Sequence, residues 1–168
     1  MPKSITHKES YLVSNPIDLI EETIALEDWP YHRLSHEEIA FEISGHWGNH
    51  RFQFVWQDEM KILQLYCALD MRVQPKDSAH LYELLAIINE RLPFGHFEIS
   101  SDEAMPTYRN GVLLSNPKTL TTDYLEDLIN IAFLESERFY PAFQFVLWGG
   151  KSAKEAASMA MIETLGEA

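Results

Sequence analysis

The sequence predicts an α+β domain: an antiparallel sheet, formed by a three-stranded meander plus a hairpin, packed against helices in the order α-β-β-β-α-β-β-α-α. Three observations lead there. The stretch 77–97, DSAHLYELLAIINERLPFGHF, sets Leu81, Leu84, Leu85, Ile88 and Leu92 at three-and-four spacing on one helical face. It stops at Pro93 and passes through Gly95 into a strand. Before it, three runs alternate with period two and are joined by connections too short for parallel crossovers. After it, two helices announce themselves by residues at capping-box spacing.

In chain order, residues 1–14 are polar, of mixed charge and without periodicity, so a flexible tail is expected there and a single domain over 15–168. Asn15-Pro16 starts the first helix, with Asn as cap and Pro at the first helical position. Ile17, Ile20 and Ile24 share its face, and Pro30 biases Trp29 away from helical geometry, which ends it. Ile39, Phe41 and Ile43 then alternate with Ala40, Glu42 and Ser44 as the first strand. Gly45–Asn49 carries turn chemistry. Phe52, Phe54 and Trp56 form one face of the second strand, and Leu63, Leu65, Cys67 and Leu69 one face of the third.

The central helix is expected over 78–92, capped by Asp77 or Ser78, with Arg91 in its last turn where positive charge suits the helix dipole. Gly95, Phe97 and Ile99 then alternate as a strand. Tyr108–Leu114 returns, and its closing run Val112-Leu113-Leu114 suggests burial on both faces. Asp123 and Glu126 open the next helix, whose stripe is Leu125, Leu128, Ile129 and Ala132 and which Pro141 interrupts. Residues 143–148 suit a helical continuation or a short strand; the helix is preferred. Ser152 and Glu155 form a second capping box before a helix lined by Ala153, Ala156, Ala157 and Ala160, small enough for close approach to a neighbour.

Composition narrows the function classes. At 168 residues and 46% hydrophobic, the chain suits one core without staples. Its single cysteine, Cys67, excludes an internal disulfide and is compatible with a reducing compartment. No apolar signal region opens the sequence and no run approaches the ~18 apolar residues of a membrane span, so a cytoplasmic location is expected, without membrane attachment. Lys and Arg number 13 against 26 Asp and Glu, a net charge of −13, which repels phosphate backbones and argues against nucleic acid as a partner.

No catalytic pattern emerges. His32, His36, His46 and His50 cluster in sequence, but four-residue spacing aligns two ligands only on a helix, and this region reads as strand and turn. They are expected to be solvent-facing loop histidines, and no metal is assigned. Cys67 in an apolar strand is read as a core residue with a raised pKa, a poor nucleophile. The glycines are isolated turn and cap positions, so no phosphate loop and no cofactor site is assigned. Glu21-Glu22, Glu37-Glu38 and Asp102-Glu103 read as solvated faces and turns.

Three stretches of residues carry a family resemblance. Asn89–Phe97 (NERLPFGHF), then Tyr108-Arg109 and Tyr140-Pro141-Ala142-Phe143, resemble the YbjN family, and the element order resembles the type III secretion chaperone-like fold. The resemblance extends from Asn15 onward. It implies a bacterial sensory transduction regulator without a known catalytic activity or cofactor, and, from the wider fold, a small acidic homodimer that holds client polypeptides.

The aromatic residues point the same way. Trp29, Tyr31, Trp47, Phe52, Phe54, Trp56, Phe143, Phe145 and Trp148 are numerous for one small core. Strand alternation accounts for the middle three; Trp47 in its turn, and Phe145 and Trp148 at a helix end, are the candidate partner or dimer surface. The expected function is therefore a non-enzymatic, cytoplasmic, chaperone-like regulator acting through protein contacts, with an unidentified protein partner. The alternative is a small-molecule sensor or enzyme with a pocket between the sheet and helix 78–92, in which Arg109, His96 or carboxylates would converge.

Overall fold

A computed structural model of the chain describes residues 15–166, with side chains as far as residue 162. The tail expected over 1–14 lies outside the described residues. Helix α1 spans Pro16–Leu26; the Asn15 side chain accepts a hydrogen bond from the Ile17 N–H at 3.0 Å, as its sequence position predicts. Ile17, Ile20 and Ile24 are wholly buried.

The sheet has six strands, all antiparallel, in the order β1-β2-β3-β4-β6-β5. They are β1 (Tyr31–Arg33), β2 (Glu38–Ser44), β3 (Asn49–Gln57), β4 (Ile62–Leu69), β5 (His96–Ile99) and β6 (Pro106–Leu113). The predicted meander is β2–β3–β4. The hairpin joins it through its second strand, so β6 lies beside β4 and β5 forms the edge. Strand β1 is an addition. Three residues are too few to show a period, and β1 is held by tertiary contacts: Arg33 reaches α1, at 3.1 Å from Asp18 and 2.7 Å from Glu21.

Between β4 and β5 lies α2, Ser78–Asn89, entered through a 3-10 turn at Pro75–Asp77. Leu81, Leu84 and Ile88 are buried, and Leu85 and Leu92 pack partly against the core. The helix ends before Arg91, and the Asp77 side chain makes no capping bond. Its end is set by Asn89, whose side chain accepts from the Phe97 N–H at 2.7 Å and donates to the Phe97 carbonyl at 3.0 Å. Gly95 then turns the chain into β5 with φ +64, a conformation that favours glycine. A Cβ there would also strike the Tyr108 ring.

Helix α3 runs unbroken over Thr122–Leu147, through Pro141. The helical reading of 143–148 holds as far as Leu147, with Trp148 at the C-cap, whereas the interruption expected at Pro141 does not occur. A proline inside a helix costs about 3 kcal/mol. Here Phe139, Tyr140, Pro141, Ala142 and Phe143 are all buried, and that packing offsets the lost hydrogen bond. The cap is Thr121, not Asp123: its hydroxyl accepts from the Tyr124 N–H at 3.2 Å. Helix α4, Ala153–Gly166, opens with the predicted reciprocal bonds between Ser152 and Glu155, at 3.2 and 3.3 Å. Ala153, Ala156, Ala157 and Ala160 are buried as the helix crosses α3 and α2.

All four helices lie on one face of the sheet. Alternation sends Ile39, Phe41, Phe52, Phe54, Leu65, Cys67, Phe97 and Tyr108 into the single core they enclose. Within it Phe41 stacks on Phe52 with ring centres 5.0 Å apart, and Phe97 meets Phe139 and Phe143 at 5.9 and 5.5 Å. The run Val112-Leu113-Leu114 is not buried on both faces: Leu113 is 68% exposed, because β5 stops short of it and no helix covers its side.

Candidate functional site: the helix-free face of the sheet

With the helices on one side, the other face of the sheet is uncovered. Strand register builds it in rows. One row reads Glu42, Arg51, Ala68, Thr107, Glu98 across five strands; the next reads His32, Ala40, Gln53, Tyr66, Arg109, His96 across all six. Ala68 and Thr107, 7% and 5% exposed, form the floor of a hollow on this face. It measures about 440 Å³ and is walled by Arg51, Gln53, Tyr66, Glu98 and Glu103. Arg51 crosses above β4 to pair with Glu103 in the β5–β6 turn.

The electrostatics of this face are one-sided. Its two arginines are engaged: Arg51 with Glu103, and Arg109 with Glu98 at 3.6 Å and over the Tyr66 ring at 5.3 Å. His96 also meets Glu98, at 3.1 Å. Glu38, Glu42, Asp70 and Asp102 have no ion pair among the described residues. The face thus offers small apolar ground inside an acidic rim.

The groups that the sequence nominated lie elsewhere. Trp47 is 40% exposed on the β2–β3 turn, edge-on to His46, and Trp148 is 64% exposed at the end of α3. Phe145 is half-buried against the core. Among the described residues no ring contact joins these three. Nor do His96 and Arg109 enter a pocket beneath α2. They occupy the outer face, while Leu81, Leu84 and Ile88 pack under α2.

His50 departs from its expected place as a solvent-facing loop histidine. It is wholly buried in β3, its Nε2 2.5 Å from Glu137 Oε1, and its ring meets Phe133 and Tyr140 edge-on. Glu137 also accepts from the His46 N–H at 2.9 Å, so one carboxylate of α3 holds both the β2–β3 turn and the strand that follows. Among the described residues no three His, Cys, Asp or Glu side chains converge as metal ligands would.

Cys67 is core, as read. Burial pushes its thiol up to about 12, with Glu137 adding to the rise and a hydrogen bond from the Ser136 hydroxyl (3.3 Å) opposing it. Burial likewise lifts Tyr108 to about 12, its hydroxyl donating to the Phe94 carbonyl at 2.9 Å. No helix among the described residues is long and apolar enough to cross a membrane.

This architecture is the type III secretion chaperone-like fold. Among solved structures it is similar to the crystal structure of the ExsC–ExsE complex, at 15% identity and TM-score 0.50, covering 82% of this chain and 94% of that one. A HopA1–SchA chaperone–effector complex also matches, at 12% identity and TM-score 0.47, covering 82% and 96%. Residues 16–145 match the profile of the YbjN family, "Putative bacterial sensory transduction regulator", and the chain belongs to that family. No curated protein matches it.

Proposed function

We propose that the protein is a non-enzymatic, cytoplasmic regulator that works by holding segments of other proteins, in the manner of a chaperone, and acts as a homodimer. The observation that carries this reading is the uncovered six-stranded face, with its hollow of about 440 Å³ floored by Ala68 and Thr107. A face this large without a helix over it is a natural contact surface. The family's description as a regulator supports the reading, as does the fold shared with ExsC, whose structure is of a complex with ExsE. Trp47, Phe145 and Trp148 remain the proposed partner or dimer contacts.

A photo-crosslinking amino acid at Gln53, on the open face, is expected to yield discrete adducts with other proteins in native cells. The same group at Glu83, exposed on α2, serves as the control and is expected to yield none. Absence of adducts from position 53 sinks the proposal. Light scattering on the purified chain is expected to give the mass of two copies; a monomer at the highest soluble concentration removes the dimer.

A further inference from the structure

We propose that the exposed half of β6, Asn110–Leu113, is a docking slot for one extended segment of another protein, added as a strand in line with β5. This rests on the protein-binding reading above and names where and how one partner segment is held. The phase of the hydrogen bonds fixes which way each residue of β6 faces. The Leu114 N–H donates to the Lys61 carbonyl at 2.7 Å, and the Ser100 N–H to the Met105 carbonyl at 3.0 Å. In an antiparallel ladder the main-chain groups alternate in direction. From those two fixed points, Tyr108, Asn110 and Val112 address β4, while Thr107, Arg109, Gly111 and Leu113 address the other side. Thr107 and Arg109 meet Glu98 and His96 there. Among the described residues Gly111 and Leu113 meet no strand on that side, since β5 begins at His96 and Gly95 bends the preceding chain away.

The outer strands are closed by other means. The outward N–H and carbonyl of Phe97 are both taken by the Asn89 amide, which closes the free edge of β5 at its middle. Strand β1 is three residues long, and Arg33 is anchored to Asp18 and Glu21. Among the described residues no such guard lies beside Gly111 and Leu113. Leu113 is 68% exposed, and Phe94, just before the bend, is 59% exposed.

The chemistry of the slot selects its occupant. Donors and acceptors that alternate at strand spacing are matched by an extended backbone, and the exposed Leu113 favours an apolar side chain beside it. A second copy of the chain is the poorer fit. Paired symmetrically through this slot, it would bring only the same four residues into the ladder, far short of the roughly 800 Å² per partner of a stable interface. A free segment carries no such limit and can continue past Leu113.

The test uses the full chain and a capped heptapeptide, Gln-Thr-Val-Thr-Val-Thr-Gln, followed by amide resonances. The Gly111 and Leu113 amides are expected to shift most, and their hydrogen exchange to slow tenfold or more at saturation. A peptide N-methylated at both valines should bind at least tenfold more weakly. Leu113→Pro should abolish binding and Leu113→Lys should weaken it. The Leu113 N–H faces the slot, so the proline removes no bond to β4, and the lysine variant stands in if the proline disturbs folding. Unmoved amides at 111 and 113, or equal binding of the methylated peptide, overturns the slot. So does concentration-dependent shifting of those amides in the protein alone, which would seat a second copy there. Cross-links from position 53 without peptide binding would fail the slot and keep the protein-binding function; peptide binding without cross-links would do the reverse.

Discussion

Glu137 links two structural elements through one carboxylate. It takes the His50 ring on one oxygen and the His46 N–H on the other, beneath a turn where a Cβ on Gly45 would collide with both Glu137 and His50. Glu137→Ala leaves a wholly buried imidazole and a turn amide unanswered, at a cost of about 2–4 kcal/mol. Glu137→Gln keeps an acceptor for one of them and is expected to lose less; denaturant midpoints of the two variants rank them. Cys67 and Tyr108 predict a response to alkali. Both hold their protons more tightly folded than unfolded, so their contribution is whole below the ordinary thiol value of 9.0 and fades as pH climbs toward about 12. Thermal midpoints of the wild type should fall above pH 9, and more steeply than those of Cys67→Ala. Iodoacetamide should label Cys67 at neutral pH only after unfolding; rapid labelling of native protein would contradict its burial. The core role of Cys67 was legible because alternation alone places it on the apolar face of β4. The partner of His50 was not, because Glu137 lies 87 residues away and only tertiary packing joins them.

At the scale of elements, local chemistry announced starts better than ends. Asn15-Pro16 and the Ser152/Glu155 box cap α1 and α4 as their residue types predict, through bonds spanning two or three residues. Strand β1 escaped notice because its three residues are kept in place by α1 and by β2. The passage of α3 through Pro141 depends on burial that no local pattern reveals. The end of α2 is similar: Arg91 and Leu92 extend the helical pattern, but Asn89 has been claimed by Phe97. Asn89→Ala should therefore do two things. It removes two hydrogen bonds, worth about 1–3 kcal/mol in stability, and it unseals the edge of β5, so that concentrated protein should aggregate faster. Asn89→Asp keeps the acceptor for the Phe97 N–H and should recover part of the stability. A variant destabilised without any gain in aggregation would mean that the edge is guarded by something else.

Over the whole molecule, the layered architecture follows from where apolar stripes fall, and those were readable: Ile17, Leu81, Leu84 and Leu125 mark helix faces that need a sheet, and the alternation of Phe52 and Phe54 supplies it. The candidate site was not readable, because a row such as Glu42, Arg51, Ala68, Thr107 and Glu98 draws on five strands and exists only once register is set. The same asymmetry of faces makes a prediction about salt. The chain carries −13, and its open face keeps Glu38, Glu42, Asp70 and Asp102 without ion pairs among the described residues. Folding brings these carboxylates closer than they lie in an extended chain, so their repulsion opposes the folded state. Such repulsion acts across exposed groups and is screened within about 10 Å at 0.1 M salt. Raising sodium chloride from a few millimolar to half molar should then stabilise the protein by about 1 kcal/mol, or roughly 2–4 °C in Tm for a chain of this size. Arg51→Ala removes one of the face's two arginines and releases Glu103, so its Tm should be lower at low salt and converge on that of the wild type as salt rises. A Tm that falls with added salt in both proteins would mean that attractive pairs, such as Arg33 with Asp18 and Glu21, outweigh the uncompensated carboxylates.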